Sequence, residues 1–258
     1  MEIEQVPIPL FSTPLESVNN PVLVVFDRAR VCVEVDTTSE TSVYLETEFP
    51  RRDYYNLLTE YIRSFLEPIA SEVLGDKGLY VGINGFYPYA LGLYALVTTR
   101  VLEEMGLEGN ELLDIASSLD KYTGLYSTVL EGLRRAIITG KPLVYRHGEE
   151  PVILDYKKLA GLETRVSRYT RVTSKAIFKG LDSIRTAIIH LTGYSIIEFT
   201  RCILPSCFME CIDLFYNTVR VYNAVYYIVY GVNPPIDSVY IADIGGYVSI
   251  ARIGGDDG

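Results

Sequence analysis

The stretch NGFYPYALGLYALVTTRVLEEMG, Asn84–Gly106, decides how the chain is read. It follows a short apolar run, Gly78-Leu79-Tyr80-Val81-Gly82-Ile83, which reads as a strand. From Leu91 to Met105 the apolar residues recur on most sides of a helical wheel, which predicts a central helix. A strand, a glycine-bearing loop and a helix N-terminus make the frame in which backbone N–H groups cradle a phosphate. Yet Tyr87, Tyr89 and Tyr94 stand where small or hydroxylated residues would leave room.

Upstream, Pro21–Phe26, Arg30–Val35 and Ser42–Glu46 read as strands, by a continuous apolar run in the first and by alternation in the others. Arg51–Leu74 reads as a helix, with Tyr54, Leu57, Leu58, Tyr61, Ile62, Phe65 and Leu66 at three- and four-residue spacings. Downstream, Asn110 opens another helix as its N-cap, and a further helical piece runs to Arg135. Lys141–Tyr156 alternates in short strands, and then helices dominate over Ser174–Thr192 and Tyr194–Tyr230, separated by Gly193. After Asn233-Pro234-Pro235, Ser238–Asp243 and Tyr247–Ile253 form a hairpin around Gly245-Gly246. The expected class is α+β with two lobes. Residues 1–140 form a strand layer with helices, and residues 141–258 a helix-rich lobe closed by the C-terminal hairpin.

Composition narrows the function classes. With 258 residues, 48% hydrophobic and 22% charged, the chain fits one large domain or two lobes. A net charge of −10, with no lysine before Lys77, argues against a nucleic-acid partner, because counterion release needs clustered cations. The acidic N-terminus has no basic region followed by an apolar core, so no leader is expected. Val221–Val232 is too short to span a bilayer, which takes roughly 20 residues, and Ser183–Leu204 is interrupted by charges. The expectation is a cytoplasmic protein with no membrane partner. Cys202, Cys207 and Cys211 do not have a zinc spacing, so no metal is assigned to them and helix packing accounts for them. His190 reads as a structural histidine and His147 as a turn residue. No G-x-S-x-G elbow supports a triad built on Ser127 or Ser249.

Asn84, Pro88, Ala90, Gly92 and Leu93, ahead of a long helix, resemble the N-x-P-x-x-A-G-L ATP loop of the GHMP kinases, with an offset of one position around Ala90. The loop is most similar to that of diphosphomevalonate decarboxylase. Two more stretches resemble that family in the same order. Glu111–Ala116 with Gly124–Gly132 is similar to its E-L-x-x-I-A and G-S-A-S-R-S-x-x-G-G segments. Val221-Tyr222-Asn223-Ala224 with Val239–Gly246 is similar to its R-Y-N-A and A-Y-T-F-D-A-G-P-N segments. The resemblance implies a two-lobed GHMP-kinase-like fold and ATP with Mg as cofactors. It places Asn84, Pro88, Ala90, Gly92, Leu93 and Tyr94 at the nucleotide and makes Asp243 the catalytic carboxylate acting on a substrate hydroxyl.

Several positions depart from the family. Its serines after Gly-Leu are here Tyr94 and Ala95, which sets a ring where phosphates lie. Its substrate-carboxylate arginine falls at Thr128, with Arg134 and Arg135 as the nearest substitutes, and its N-terminal lysine has no counterpart. Phosphoryl transfer rests on positioned charge and donors. The expectation is therefore a family member with impaired ATP chemistry, needing no cofactor, in a binding or assembly role. The alternative is an active, divergent ATP-dependent mevalonate-pathway decarboxylase or small-molecule kinase, with Asp243 as base. The plainer reading of Asp243, a cap on the turn before Gly245, is preferred here. A nucleotide or other small molecule is one candidate ligand. The Tyr-rich helix 211–230, which carries Tyr216, Tyr222, Tyr226, Tyr227 and Tyr230, is either a wide core stripe or a surface for a protein partner or second copy.

Overall fold

The computed structural model describes residues 2–12, 21–39, 42–49, 52–72, 77–85, 87–125, 127–154, 164–171, 185–202, 217–224, 227 and 238–253. Strand β1 (Glu2–Ser12) runs antiparallel to β2 (Pro21–Thr38), the long central strand. The segments read as Pro21–Phe26 and Arg30–Val35 are thus one strand, and the first residues, read only for a leader, are its neighbour. The register between β1 and β2 shifts around Pro7 and again after Pro9, where the missing proline N–H interrupts the ladder. Strand β4 (Gly78–Asn84) pairs antiparallel with one end of β2 and parallel with β3 (Val43–Thr47). Strands β5 (Leu143–Arg146) and β6 (Val152–Ile153) extend the sheet from the other end of β2, giving the order β3-β4-β2-β5-β6 with β1 alongside β2.

Helix α1 (Asp53–Glu72) buries Tyr54, Leu58, Ile62, Phe65, Leu66 and Ile69, a stripe at three- and four-residue steps, and exposes Asp53, Asn56, Glu60, Arg63 and Glu67. Helix α2 (Ala90–Glu104) is buried on almost every side, as its apolar run predicts. It lies against β1 and β2 below and against α1, α3 (Gly109–Thr123) and α4 (Thr128–Thr139) around it. Helix α4 starts on Ser127, whose Oγ accepts from the Leu130 N–H at 3.1 Å, and ends on Gly140 in the left-handed region.

A second, antiparallel sheet has the order β7-β9-β8, from β7 (Thr164–Arg171), β8 (Ser238–Ala242) and β9 (Tyr247–Ile253). The last two form the expected C-terminal hairpin, joined by a 3-10 turn at Ile244–Gly246. This sheet abuts β1 and β2, so that Val166, Val239, Val248 and Ala251 share one continuous core with the first. Helix α5 (Arg185–Cys202) crosses Gly193 without a break, contrary to the expected separation there. Residues 217–224 form α6, where Tyr222 is fully buried, exchanges hydrogen bonds with the main chain of Ser12 and packs edge-on against Phe11. Tyr227 is 55% exposed, while Tyr216, Tyr226, Tyr230, Cys207 and Cys211 lie outside the described residues.

His190, read as a structural histidine, is instead exposed on α5; His147 sits in the turn after β5, as expected. Among the described residues no helix is long and apolar enough to cross a membrane, and no group of three His, Cys, Asp or Glu side chains gathers to hold a metal ion.

Candidate active site

The amino end of α2 is the natural anion cradle, because its first N–H groups have no partner within the helix. Its N-cap, Tyr89, does not cap the helix with its side chain. The cap comes from 152 residues away. Asp243, between β8 and the 3-10 turn, accepts from the Leu91 N–H through Oδ1 at 2.8 Å and from the Ala90 N–H through Oδ2 at 3.3 Å. It also accepts from the Ile244 N–H at 2.9 Å and from the Ser249 hydroxyl at 2.8 Å. The Tyr54 hydroxyl of α1 completes the cluster. It touches Asp243 Oδ2, accepts from the Ala90 N–H at 2.7 Å and lies 2.8 Å from the Pro88 carbonyl. Asp243 thus caps both its own turn and a distant helix.

Two glycines let the turn reach that position. Gly245 and Gly246 have φ of +63° and +76°, and a Cβ on Gly245 would lie 2.1 Å from Leu57 Cδ2. The Tyr54 ring is fixed edge-on between Tyr55 and Tyr247. Among the described residues no cationic side chain is hydrogen-bonded to Asp243; its partners are neutral dipoles. Burial pushes its carboxyl up to about 6, against the hydrogen bonds from Tyr54, Leu91, Ile244 and Ser249 that favour the anion. Burial, followed by the nearby Asp243 charge, pushes the Tyr54 hydroxyl well above its ordinary value.

The loop ahead of α2 is filled. Tyr87 and Tyr89 are fully buried, and the Tyr87 hydroxyl donates to Asp27 Oδ2 at 2.7 Å. Asp27, itself fully buried in β2, also accepts from the Arg28 and Val166 N–H groups, which ties the loop to both sheets.

The residues expected at the nucleotide therefore divide. Ala90 and Pro88 belong to the Asp243–Tyr54 cluster, together with Leu91, which was not expected there. Asn84 is exposed at the end of β4, and Leu93 is core. Gly92 points at the sheet: a Cβ there would meet the Pro7 carbonyl oxygen at 2.4 Å and Val6 Cγ1 at 2.8 Å. Its small size serves helix–sheet packing.

The expected position of Tyr94 is corrected. Its ring does not lie over the helix N-terminus; it is buried edge-on against Phe65, and its hydroxyl donates to Asp120 Oδ1 at 2.9 Å. The reason is helical geometry: Tyr94 sits a full turn along α2, on the side that faces α1 and α3.

Arg134 is also corrected as a substrate residue. It is 1% exposed, bridges Asp120 through Nε at 3.1 Å and Nη2 at 2.7 Å, and donates to Thr98 and Thr99. A guanidinium so enclosed holds α2, α3 and α4 together. Arg135 pairs with Glu131 at 3.1 Å and lies over the Tyr145 ring, and Thr128 is buried at the start of α4. Neither arginine is hydrogen-bonded to the Asp243 cluster.

Tyr54 and Asp27 were not singled out. Tyr54 has the spacing of an ordinary core position, and only the fold shows that its hydroxyl meets Asp243. Ser249, set aside as a triad member, is the other side-chain donor to that carboxylate.

No family model matches the chain, and no curated protein matches it in sequence. Solved structures do. The Methanococcus jannaschii mevalonate kinase is 10% identical, with a TM-score of 0.60 over 98% of this chain and 90% of that one. A mevalonate kinase from methicillin-resistant Staphylococcus aureus MRSA252 is 15% identical, with a TM-score of 0.59 over 98% and 89%. A mevalonate 5-diphosphate decarboxylase is 11% identical, with a TM-score of 0.52 over 98% and 79%. At these identities the likeness establishes the fold, and it does not single out the decarboxylase among its neighbours.

Proposed function

We propose, with the GHMP-kinase fold as premise, that this chain is a binding or assembly protein whose phosphoryl-transfer site is closed by its own side chains. One observation carries the reading: the N–H groups of Ala90 and Leu91 are already held by Asp243 and Tyr54. ATP with Mg does not fit the residues present. The cradle amides are taken by a carboxylate, which would repel a phosphate, and the loop volume is filled by Tyr87 and Tyr89. Among the described residues no group of three His, Cys, Asp or Glu side chains gathers at this site. The nearest arginine candidate, Arg134, is committed to Asp120. The protein partner or second copy expected for the Tyr-rich segment belongs to this reading, with Tyr194, Ile197 and Tyr227 as exposed side chains on the helical side.

The test is a thermal-shift and calorimetric titration of the wild-type chain with Mg-ATP. No shift and no heat are expected up to millimolar nucleotide, since a ligand of the native state raises its melting temperature. A saturable, dose-dependent rise would overturn the closed-site reading.

A second reading has one observation in its favour. Asp243, with its carboxyl at about 6, has the proton affinity of a general base working near neutral pH. On that reading the chain is a divergent small-molecule kinase or decarboxylase. The same titration, followed by a search for ADP release that Asp243→Asn abolishes, decides between the two.

A further inference from the structure

The hydrogen bonds around Tyr54 contain a proton shortage. A phenol carries one hydrogen. The Tyr54 hydroxyl has two acceptors within reach, the Pro88 carbonyl at 2.8 Å and Asp243 Oδ2, while its own oxygen accepts from the Ala90 N–H. With Asp243 ionised, that single hydrogen goes to the carboxylate or to the carbonyl, and the other contact lacks a proton. With Asp243 protonated on Oδ2, every contact is served. The carboxyl O–H donates to Tyr54, the Tyr54 O–H donates to Pro88, and Leu91, Ile244 and Ser249 keep their places. One proton taken from solvent balances the network.

We propose that Asp243 and Tyr54 form a proton-gated latch between the β8–β9 turn, helix α1 and the amino end of α2. In the ionised form the carboxylate grips the Ala90 and Leu91 amides by charge and dipole, and Tyr54 releases Pro88. In the protonated form Tyr54 holds the Pro88 loop and the grip on the helix end weakens.

The surroundings set where the latch turns. Tyr54 and Tyr55 face it from α1, with Asp53 and Glu60 on the open side of the turn beside Gly245. Tyr87, backed by Asp27, faces it from the loop, and Tyr247 and Ser249 from β9. These groups are neutral or acidic and offer the anion no counter-charge, so burial prevails and pushes the carboxyl up to about 6. A carboxyl raised in the folded state favours folding when protonated. That contribution is present below the ordinary carboxylate range and is lost as pH rises through about 6.

The latch does not depend on whether the site takes nucleotide, and its test uses the nucleotide-free chain. On wild type, the Leu91 amide and the Tyr54 ring-carbon resonances are followed by NMR from about pH 5 to about pH 8. Both are expected to move with one shared midpoint at about 6. Asp243→Asn copies the protonated carboxyl, an acceptor on one side and a donor toward Tyr54 on the other. It should abolish the transition and hold the Leu91 amide near its low-pH position. The latch is overturned if the two resonances do not titrate together in that range, or if the transition persists in Asp243→Asn. The wild-type arm stands even where the variant folds poorly.

Discussion

Replacing Gly92 with alanine separates a packing glycine from a phosphate-approach glycine. An added Cβ would lie 2.4 Å from the Pro7 carbonyl oxygen, 2.7 Å from Tyr89 Cδ1 and 2.8 Å from Val6 Cγ1, whereas ordinary contacts begin at 3.4 Å. The closest atom is backbone in β1, so relief requires the strand and α2 to part by about 1 Å rather than a side chain to turn. Overpacking of this kind costs about 1–3 kcal/mol, and the collision with main chain puts it at the upper end. Alanine's better helix propensity returns about 1 kcal/mol. The net expectation is a loss of about 2 kcal/mol, a fall in Tm of about 4–8 °C for a chain of this size. Gly193→Ala is the internal control. It too lies in a helix, but among the described residues its Cβ would meet Pro21 Cγ alone, at 3.8 Å, so the same change should stabilise by about 0.5–1 kcal/mol. The assay is urea unfolding of both variants beside wild type. A Gly92→Ala chain as stable as wild type would refute the packing of α2 on β1 and return this glycine to a ligand role.

Other outcomes follow from the same contacts. Tyr94→Ser should lose about 3–5 kcal/mol in chemical unfolding and gain no nucleotide binding in a thermal-shift titration, because the ring fills core rather than the helix end. Asp120→Asn, which leaves the Arg134 guanidinium buried beside a neutral group, should cost about 3–5 kcal/mol by urea midpoint. Asp243, raised by burial, and Glu131, lowered by its partners, give a two-sided pH profile. Burial works against the Glu131 anion, but hydrogen bonds from Tyr145, His147 and Arg135 outweigh it and hold the carboxyl below its ordinary 4.5. That support is present above the ordinary value and is lost as pH falls through the lowered one. Thermal midpoints measured across pH should therefore fall on the acid side in wild type, and Glu131→Gln should flatten that acid limb.

Much of the architecture was legible because burial leaves a periodic trace. The stripe of α1, the apolar run of α2 and the Gly245-Gly246 turn between β8 and β9 each announced an element. Strand β1 was missed because two prolines sit inside it, and they are tolerated only because the register shifts around them. Of the candidate site, Asp243 and the amino end of α2 were legible as single positions. Their union was not, since it depends on a hairpin turn reaching a helix 152 residues away. Tyr94 and Arg134 misled for a related reason: a polar tip on a large side chain looks like a site when its burial and partners are unknown. The Tyr94 hydroxyl and the Arg134 guanidinium meet on the same buried Asp120, and sequence spacing carries no trace of that meeting.

The remote cap on α2 also bears on the order in which the chain can fold. Synthesis delivers α1 and α2 long before Asp243, and Ser12 long before Tyr222, its partner 210 positions later. Until those residues arrive, the Leu91 amide lacks its carboxylate and the Ala90 amide has Tyr54 alone, and the end of β1 lacks its aromatic neighbour. Bonds that close loops of this length make folding slow and favour late, concerted docking of the second sheet. A growing chain would therefore present a first sheet whose strands are complete at Ile153 but uncovered until the second sheet ends at Ile253, a state that chaperones recognise by its open apolar surface.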